Sequence, residues 1–193
     1  MHPASVFHES DHRVLVERLR AHPFCTVVAV GDGKPYMTHT PVIADGAASL
    51  RFHVARANPI CRALAEGRAL ISTLGPHAYV DPAWYEAPDH VGTWNYLSVE
   101  AEGRVQRLDG DKTIAFLHDL AAAFDPDPWT SESVDPKIFA KLLVGIEAYR
   151  LVPDRFEGTT KLSQNKPPEL RSRVAKQLGD HPIAAAMGAL VED

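Results

Sequence analysis

The sequence predicts a mainly β fold, an antiparallel barrel of six strands with peripheral helices. Six segments have the short lengths and the apolar or alternating patterns of strands. The early strands follow one another through tight turns, and Asp45-Gly46 is a strong hairpin signal. One helix falls between the third and fourth strands. Strict alternation of strands and helices is absent, so a doubly wound parallel fold is not expected.

The predicted strands are defined by their hydrophobic patterns and by flanking turn residues. The third strand alternates clearly, because Leu50, Phe52 and Val54 face one side of it. The fourth strand continues to residue 80 beyond a break at Gly75-Pro76. The six predicted strands comprise residues 24–30, 35–44, 49–55, 69–74, 97–108 and 147–152.

Helices are predicted where capping residues precede apolar residues at helical spacing. In the first helix Leu15 and Leu19 share one face, and Pro23 ends the helix. The predicted N-terminal caps are Ser10, Asn58, Asp109 or Asp111, and Asp135. A polar helix over residues 169–178 and a last helix ending at Val191 complete the chain. We expect a barrel domain with inserted helices over residues 1–165 and a C-terminal helical extension packed on it over residues 166–193.

Composition restricts the classes of function. With 193 residues the chain forms one large domain, or one domain with an appendage. The net charge of −5 opposes non-specific DNA binding, because that binding needs a basic surface. Cys25 and Cys61 lack CxxC spacing, so neither a disulfide framework nor a zinc site is expected. No signal peptide or membrane-spanning segment is predicted, and we expect a cytoplasmic protein.

The motifs of several common enzyme classes are missing. The chain contains no GxGxxG, Walker A loop, GxSxG or HExxH. Its ten histidines are scattered, and only His39 and His53 fall on neighbouring strands. A metal site there is not expected, since structural sites usually need four close ligands. We therefore predict no metal ligands and no catalytic side chains.

Four polar stretches could meet around a ligand. They supply hydroxyls, amides, an imidazole and an aromatic face. Arg56 and Arg62 flank the predicted helix start at Asn58, which could hold a phosphate or be a simple capped helix with solvated arginines. This set suits an isoalloxazine ring with its ribityl phosphate, and equally other flat heterocycles. The four stretches are Thr38-His39-Thr40-Pro41, the Asn58 helix start, Trp94-Asn95 and Gln164-Asn165.

Five segments follow one another along the chain: Thr38-His39-Thr40-Pro41, Ala57-Asn58-Pro59, Gly75-Pro76-His77-Ala78-Tyr79, Thr93-Trp94-Asn95-Tyr96 and Lys161-Leu162-Ser163-Gln164-Asn165. In this order they resemble the PaiB-type family, the FMN-binding negative transcriptional regulators. The resemblance covers nearly the whole chain. It implies a split β-barrel of the FMN-binding type, similar to that of pyridoxamine-phosphate oxidases and flavin reductases. It also implies a homodimer with FMN at the subunit interface.

The resemblance also assigns expected site residues. Residues 38–41 should line the flavin, and His53 and the Asn58 turn should lie near the ribityl phosphate. The later residues should close the site, with the partner subunit as one source of them. The expected FMN-binding residues are Thr38, His39, Thr40, Pro41, His53, Ala57, Asn58, Arg62, Trp94, Asn95, Lys161, Gln164 and Asn165.

The chain departs from its relatives at two places. The oxidases hold phosphate with an Arg and a Lys from the strand matching residues 37–42, and this strand has neither. Phosphate binding by Arg56, Arg62 or Lys161 is therefore a hypothesis. PaiB-type chains often carry an aromatic residue where this chain has Cys61.

Three functions follow from these observations. The first is a negative regulator or flavin-dependent sensor that acts indirectly, through a ligand, a partner protein or metabolism, because direct DNA contact conflicts with the charge. The alternatives are an FMN-dependent oxidoreductase acting on a small molecule, and a haem-binding or haem-processing relative. Whether the protein is an enzyme stays open.

Overall fold

Six strands close into an antiparallel barrel in the computed structural model, which describes residues 2–46 and 48–190. The strands are β1 His8–Glu9, β2 Phe24–Gly31, β3 Lys34–Asp45, β4 Ser49–Ala55, β5 Arg68–Val80, β6 Thr93–Arg107 and β7 Ile146–Lys161. Their order in the sheet is β1-β7-β4-β3-β2-β5-β6, and a further pairing of β7 with β6 closes the barrel. The short β1 adds to the edge of β7 beyond the point where β4 ends. The predicted fold class is confirmed.

The last barrel strand is much longer than predicted. β7 pairs with β6 from Lys161 opposite Tyr96 to Tyr149 opposite Arg107. The prediction that this strand ends at residue 152 was wrong, because Pro153 and Gly158 are poor strand formers and hide the pattern. Here Pro153 occupies an irregularity in the β6–β7 register. Lys161 is consequently the final residue of the strand rather than part of the turn after it.

Six helices surround the barrel in the described part of the chain. Two of them begin at the predicted caps Asp109 and Asp135, whereas the helix predicted to be capped by Asn58 has Pro59 at its N-cap. They are α1 His12–Ala21, α2 Ile60–Leu64, α3 Gly110–Phe124, α4 Pro136–Val144, α5 Pro168–Leu178 and α6 Pro182–Ala189. The prediction that Ser10 caps α1 was wrong, because the Asp11 carboxylate accepts from the amides of Arg13 and Val14. The predicted end of the last helix, Val191, lies outside the described residues.

The core has three parts. The barrel interior is filled by side chains such as Val27, Phe52 and Ile71, none of them more than 1% exposed. α3 covers the outside of the barrel with Phe116 against Ala148. A further buried cluster joins β5 to α5 and α6. It includes Ala78 and Val80 of β5, Val174 of α5 and Ile183 of α6. The division of the chain at residue 165 stays a prediction.

One outer face of the barrel is apolar and exposed. On β2, alternate residues point inward, which leaves the side chains between them on the outside. Four large apolar side chains of β2, β3 and β5 are more than half exposed there. They are Phe24 (67%), Val30 (56%), Met37 (63%) and Leu74 (56%). We call the outer surface of β2, β3, β5 and β6 the open face, and its apolar side chains are typical of an interaction surface.

Replacing Asp135 with Ala is expected to destabilise the protein by about 1 kcal/mol. The Asp135 carboxylate accepts hydrogen bonds from the amides of Lys137 (2.9 Å) and Ile138 (3.2 Å) at the start of α4. Asp109 is the matched control, because it precedes α3 without any side-chain cap. Urea unfolding of both variants measures the difference. Equal losses in Asp135→Ala and Asp109→Ala would show that the cap contributes nothing.

Candidate functional site

The predicted site residues fall into two groups, and the first lies where β3 meets α2. The Asn58 amide Nδ2 donates to Thr38 Oγ1 at 3.1 Å, and its Oδ1 accepts from the Ile60 amide at 3.1 Å. Asn58 therefore ties α2 to the strand. His39 is exposed on the open face and stacks on Phe24, with ring centroids 6.2 Å apart. We call Thr38, His39, Pro41, Asn58 and Arg62 the β3–α2 half-site, although Thr38 lies on the opposite side of β3 from His39 and Pro41.

Thr40 and His53 also point away from the open face. Thr40 is buried, and its hydroxyl donates to the carbonyl of His53 at 2.6 Å. The His53 ring lies under α3, with its centroid 6.0 Å from that of Phe116. Burial lowers the pKa of His53, so the imidazole is neutral at pH 7. Both side chains support the wall behind the half-site, whereas Ala57 is exposed in the turn before α2.

The arginines around α2 differ in availability. Arg56 donates to the carbonyls of Val144 (2.6 Å) and Ile146 (3.2 Å) and pairs with Glu147 at 3.3 Å. These contacts hold it against the start of β7. Arg62 is exposed and makes no hydrogen bond or ion pair within residues 2–46 and 48–190. Of the two, Arg62 is the arginine free to meet an anion.

Cys61 lies beside these groups without being a reactive thiol. Its Sγ contacts the carbonyl oxygen of Ala55 at 3.6 Å. Burial raises the pKa of the Cys61 thiol, which keeps it protonated at neutral pH. At the position where PaiB-type chains often carry an aromatic residue, this chain therefore has a small neutral side chain next to Arg62.

The second group surrounds the end of β7. A pocket of about 410 Å³ includes Asn95, Lys161 and Asn165 in its walls. Trp94 is on the neighbouring open face, where its ring lies 5.8 Å from that of Tyr79 and 6.1 Å from that of His77. We call Trp94, Asn95, Lys161, Gln164 and Asn165 the β6–β7 half-site.

Within this half-site Asn95 holds the turn that follows β7. The side chain is completely buried, and its Nδ2 donates to Ser163 Oγ at 3.0 Å. The Ser163 hydroxyl in turn donates to Asn95 Oδ1 at 3.1 Å. Ser163 has φ +60°, a left-handed conformation that is unusual for a non-glycine residue. The buried pair therefore fixes a turn that Ser163 would not adopt alone.

Gln164 and Asn165 have different surroundings despite being neighbours. Gln164 Oε1 accepts from the Leu162 amide at 2.7 Å, and its Nε2 donates to the carbonyls of Val6 (3.1 Å) and Thr160. This side chain ties the turn to the N-terminal segment. Asn165 is exposed and makes no side-chain hydrogen bond with the described residues, so its amide is free for a ligand.

The pocket also contains cationic groups. Lys161 Nζ donates to Thr93 Oγ1 at 2.8 Å, and partial burial lowers its pKa. Lys166 Nζ lies 5.6 Å from the centre of the Tyr85 ring and 3.4 Å from His90 Nδ1. Sequence reasoning missed Lys166 and His90, although Lys166 directly follows the last family segment. Together these groups could attract an anion such as a phosphate.

One protomer does not bring the two half-sites together. His39 lies in register with Thr26 on β2, Ser72 on β5 and Glu100 on β6. Three strand spacings separate it from Glu100, about 14 Å. Trp94 is six residues further along β6, which adds roughly 20 Å along the strand. A flavin in contact with one half-site of a protomer is thus remote from the other.

Neither metal binding nor membrane insertion finds support in the described part of the chain. Within it, His, Cys, Asp and Glu side chains form no group of three or more that could hold a metal ion. Its helices are also too short or too polar for any of them to cross a membrane.

The fold is a closed six-stranded antiparallel barrel with peripheral helices, the split-barrel class that the sequence predicts. Residues 1–155 match the family described as "Putative FMN-binding domain", and the chain belongs to this family. The chain is 31% identical over 179 residues to "Protease synthase and sporulation protein PAI 2" of Bacillus subtilis (strain 168), covering 88% of this chain and 86% of the relative. The predicted PaiB-type family is therefore confirmed, and its cofactor is a flavin.

Solved structures show the same fold at low identity. The flavocytochrome Anf3 from Azotobacter vinelandii superposes with a TM-score of 0.68 at 18% identity, over 83% of this chain and 72% of that one. The FAD and heme binding protein from Mycobacterium smegmatis gives 0.64 at 20% identity, over 85% and 78%. The conserved hypothetical protein Rv2991 from Mycobacterium tuberculosis gives 0.61 at 12% identity, over 86% and 94%.

Proposed function

We propose that the protein is a homodimer in which each FMN lies between the β3–α2 half-site of one copy and the β6–β7 half-site of the other. The observation that carries this proposal is the separation of the two half-sites along one continuous outer surface. A second copy placed across the open face shortens that separation. Covering Phe24, Val30, Met37 and Leu74 supplies the apolar burial that an obligate dimer needs.

The residues present fit a flavin. Its carbonyls and ring nitrogens need hydrogen-bonding partners, which the free amide of Asn165 and the exposed His39 can provide. Its phosphate needs a cation, and Arg62, Lys161 and Lys166 are the candidates. The half-exposed Trp94 offers a flat surface at the edge of the site. Bound FMN would supply the redox chemistry, and the protein would supply orientation and a dry interface.

We infer that the protein is a flavin-dependent sensor and that it regulates indirectly, without contacting DNA. The net charge of −5 opposes a DNA-binding surface, and the structure provides an apolar face for protein contacts. The regulatory output then passes through a ligand or a partner protein in the cytoplasm. A gel-shift series on upstream DNA at increasing salt separates the two modes. Tight, sequence-selective binding that survives physiological salt would contradict the indirect one.

Light scattering combined with a visible spectrum tests the proposed assembly. The purified protein, supplied with FMN, is expected to elute as a dimer with one flavin per chain. A monomer that carries flavin would contradict the shared site. A dimer that is colourless after incubation with excess FMN and removal of the unbound flavin would contradict the cofactor.

A further inference from the structure

The pocket at the end of β7 contains two lysines that lack a carboxylate partner. Its volume is about 410 Å³, and Lys161 and Lys166 are both half-buried in its wall. Neither ammonium group forms an ion pair with a carboxylate in the described part of the chain. The half-buried Arg18, by contrast, pairs with Glu9. The two lysines therefore leave positive charge in the pocket that the protein itself does not balance.

Each ammonium group has one hydrogen-bonding partner among the described residues. Lys161 Nζ donates to Thr93 Oγ1 at 2.8 Å. Lys166 Nζ lies 3.4 Å from His90 Nδ1 and 5.6 Å from the centre of the Tyr85 ring. An ammonium group carries three donors, so these contacts saturate neither of them. Because partial burial removes some of their hydration, an anion in the pocket would stabilise both charges.

The rest of the lining defines the kind of anion that fits. Among the described lining residues the acidic one is Asp89, whose side chain is exposed to solvent. Two lysines and one aspartate give the lining a formal charge of +1, with its histidines taken as neutral, and one monoanion balances this charge. Phe7, Tyr85 and Val91 add apolar surface. A small carboxylate with an apolar body matches both the charge and the walls.

The proposed flavin can bind without occupying this pocket. Arg62 of the β3–α2 half-site is exposed, and a guanidinium binds a phosphate through two parallel hydrogen bonds. Trp94 lies on the open face, whereas Asn95, the next residue of β6, is buried in the pocket wall. With its phosphate at Arg62 and its ring on Trp94, the flavin would lie beside the pocket and leave the two lysines for another anion.

We propose that this pocket binds a small organic carboxylate, held by the ammonium groups of Lys161 and Lys166 and located next to the flavin. This carboxylate is the small molecule that the flavin-dependent sensor detects. Its place beside the flavin rests on the proposed shared site, whereas its binding to the lysines does not.

Benzoate and benzamide form a matched pair of probes, because they share a ring and differ in charge. Calorimetric titration of the FMN-loaded protein is expected to show benzoate binding about tenfold more tightly or better, since its hydrogen bonds to the lysines are charge-assisted. Lys161→Met and Lys166→Met are each expected to remove most of this preference. Lys141→Met, at an exposed position of α4, is the control and is expected to keep it. Equal affinities of the two probes for the wild type would overturn the proposal, as would an undiminished preference in both pocket variants.

The ratio of FMN affinity to riboflavin affinity shows which cation holds the flavin phosphate, because riboflavin lacks that group. Arg62→Met is expected to lower this ratio, whereas Lys161→Met and Lys166→Met are expected to leave it unchanged. A lower ratio in either lysine variant would assign that lysine to the flavin phosphate and overturn the proposal. A protein that binds no flavin and still prefers benzoate would support the carboxylate pocket and contradict the shared flavin site.

Discussion

Gly103→Ala is expected to destabilise the protein by roughly 3 kcal/mol or more, because the added methyl group has no free space. A Cβ on Gly103 would lie 2.1 Å from the carbonyl oxygen of Val152 and 2.7 Å from the Cα of Pro153. Both contacts are with backbone atoms, so no flexible side chain can move aside. The β6–β7 pairing that closes the barrel must shift instead.

Gly188→Ala is the matched control for this change. Gly188 lies within α6, and a Cβ there would meet no atom within 4 Å. Because Ala is the better helix former, this variant is expected to be neutral or more stable by up to about 1 kcal/mol. Urea unfolding measures both variants. A Gly103→Ala protein as stable as wild type would show that β6 and β7 can move apart at Gly103, despite the short distances to the backbone of Val152 and Pro153.

Asn95→Ala is expected to have the second largest effect, a loss of about 2–3 kcal/mol together with loss of flavin binding. The substitution removes a buried amide, leaves the Ser163 hydroxyl without its partner and opens a small cavity near Met187. Without its hydrogen bonds to Asn95, Ser163 is expected to leave its left-handed conformation. The turn that presents Asn165 is expected to loosen.

Asn165→Ala separates the structural role from the binding role. Asn165 is exposed and unpaired within the described residues, so its replacement is expected to change stability by less than about 0.5 kcal/mol. FMN affinity is nevertheless expected to fall. Thermal unfolding and a fluorescence titration with FMN measure the two quantities. If Asn95→Ala retained full stability, or Asn165→Ala full affinity, the roles assigned to these residues would be wrong.

The barrel itself could be predicted because its strands carry local signals. Alternation in β4 and the turn at Asp45-Gly46 depend on neighbouring residues alone. The second half of β7 could not be predicted, since Pro153 and Gly158 are tolerated only because of their positions opposite β6.

The candidate site was less accessible to sequence reasoning. Asn95 and Asn165 are the same residue type in two family segments, yet one is fully buried and the other exposed. His53 looked like a ligand, but alternation alone does not show that α3 covers it. Lys166 has no partner nearby in sequence, because its neighbour His90 is brought in by the fold.

A mixed dimer tests the shared flavin site most directly. Arg62→Glu in one tagged copy and Asn165→Glu in a differently tagged copy each place a carboxylate in one half-site, at exposed positions that make no contacts needed for folding. Each homodimer is expected to lose FMN. The purified heterodimer carries both defects in one site and none in the other, so it is expected to bind one FMN per dimer. A heterodimer as devoid of flavin as its parents would place each site within a single protomer and contradict the account.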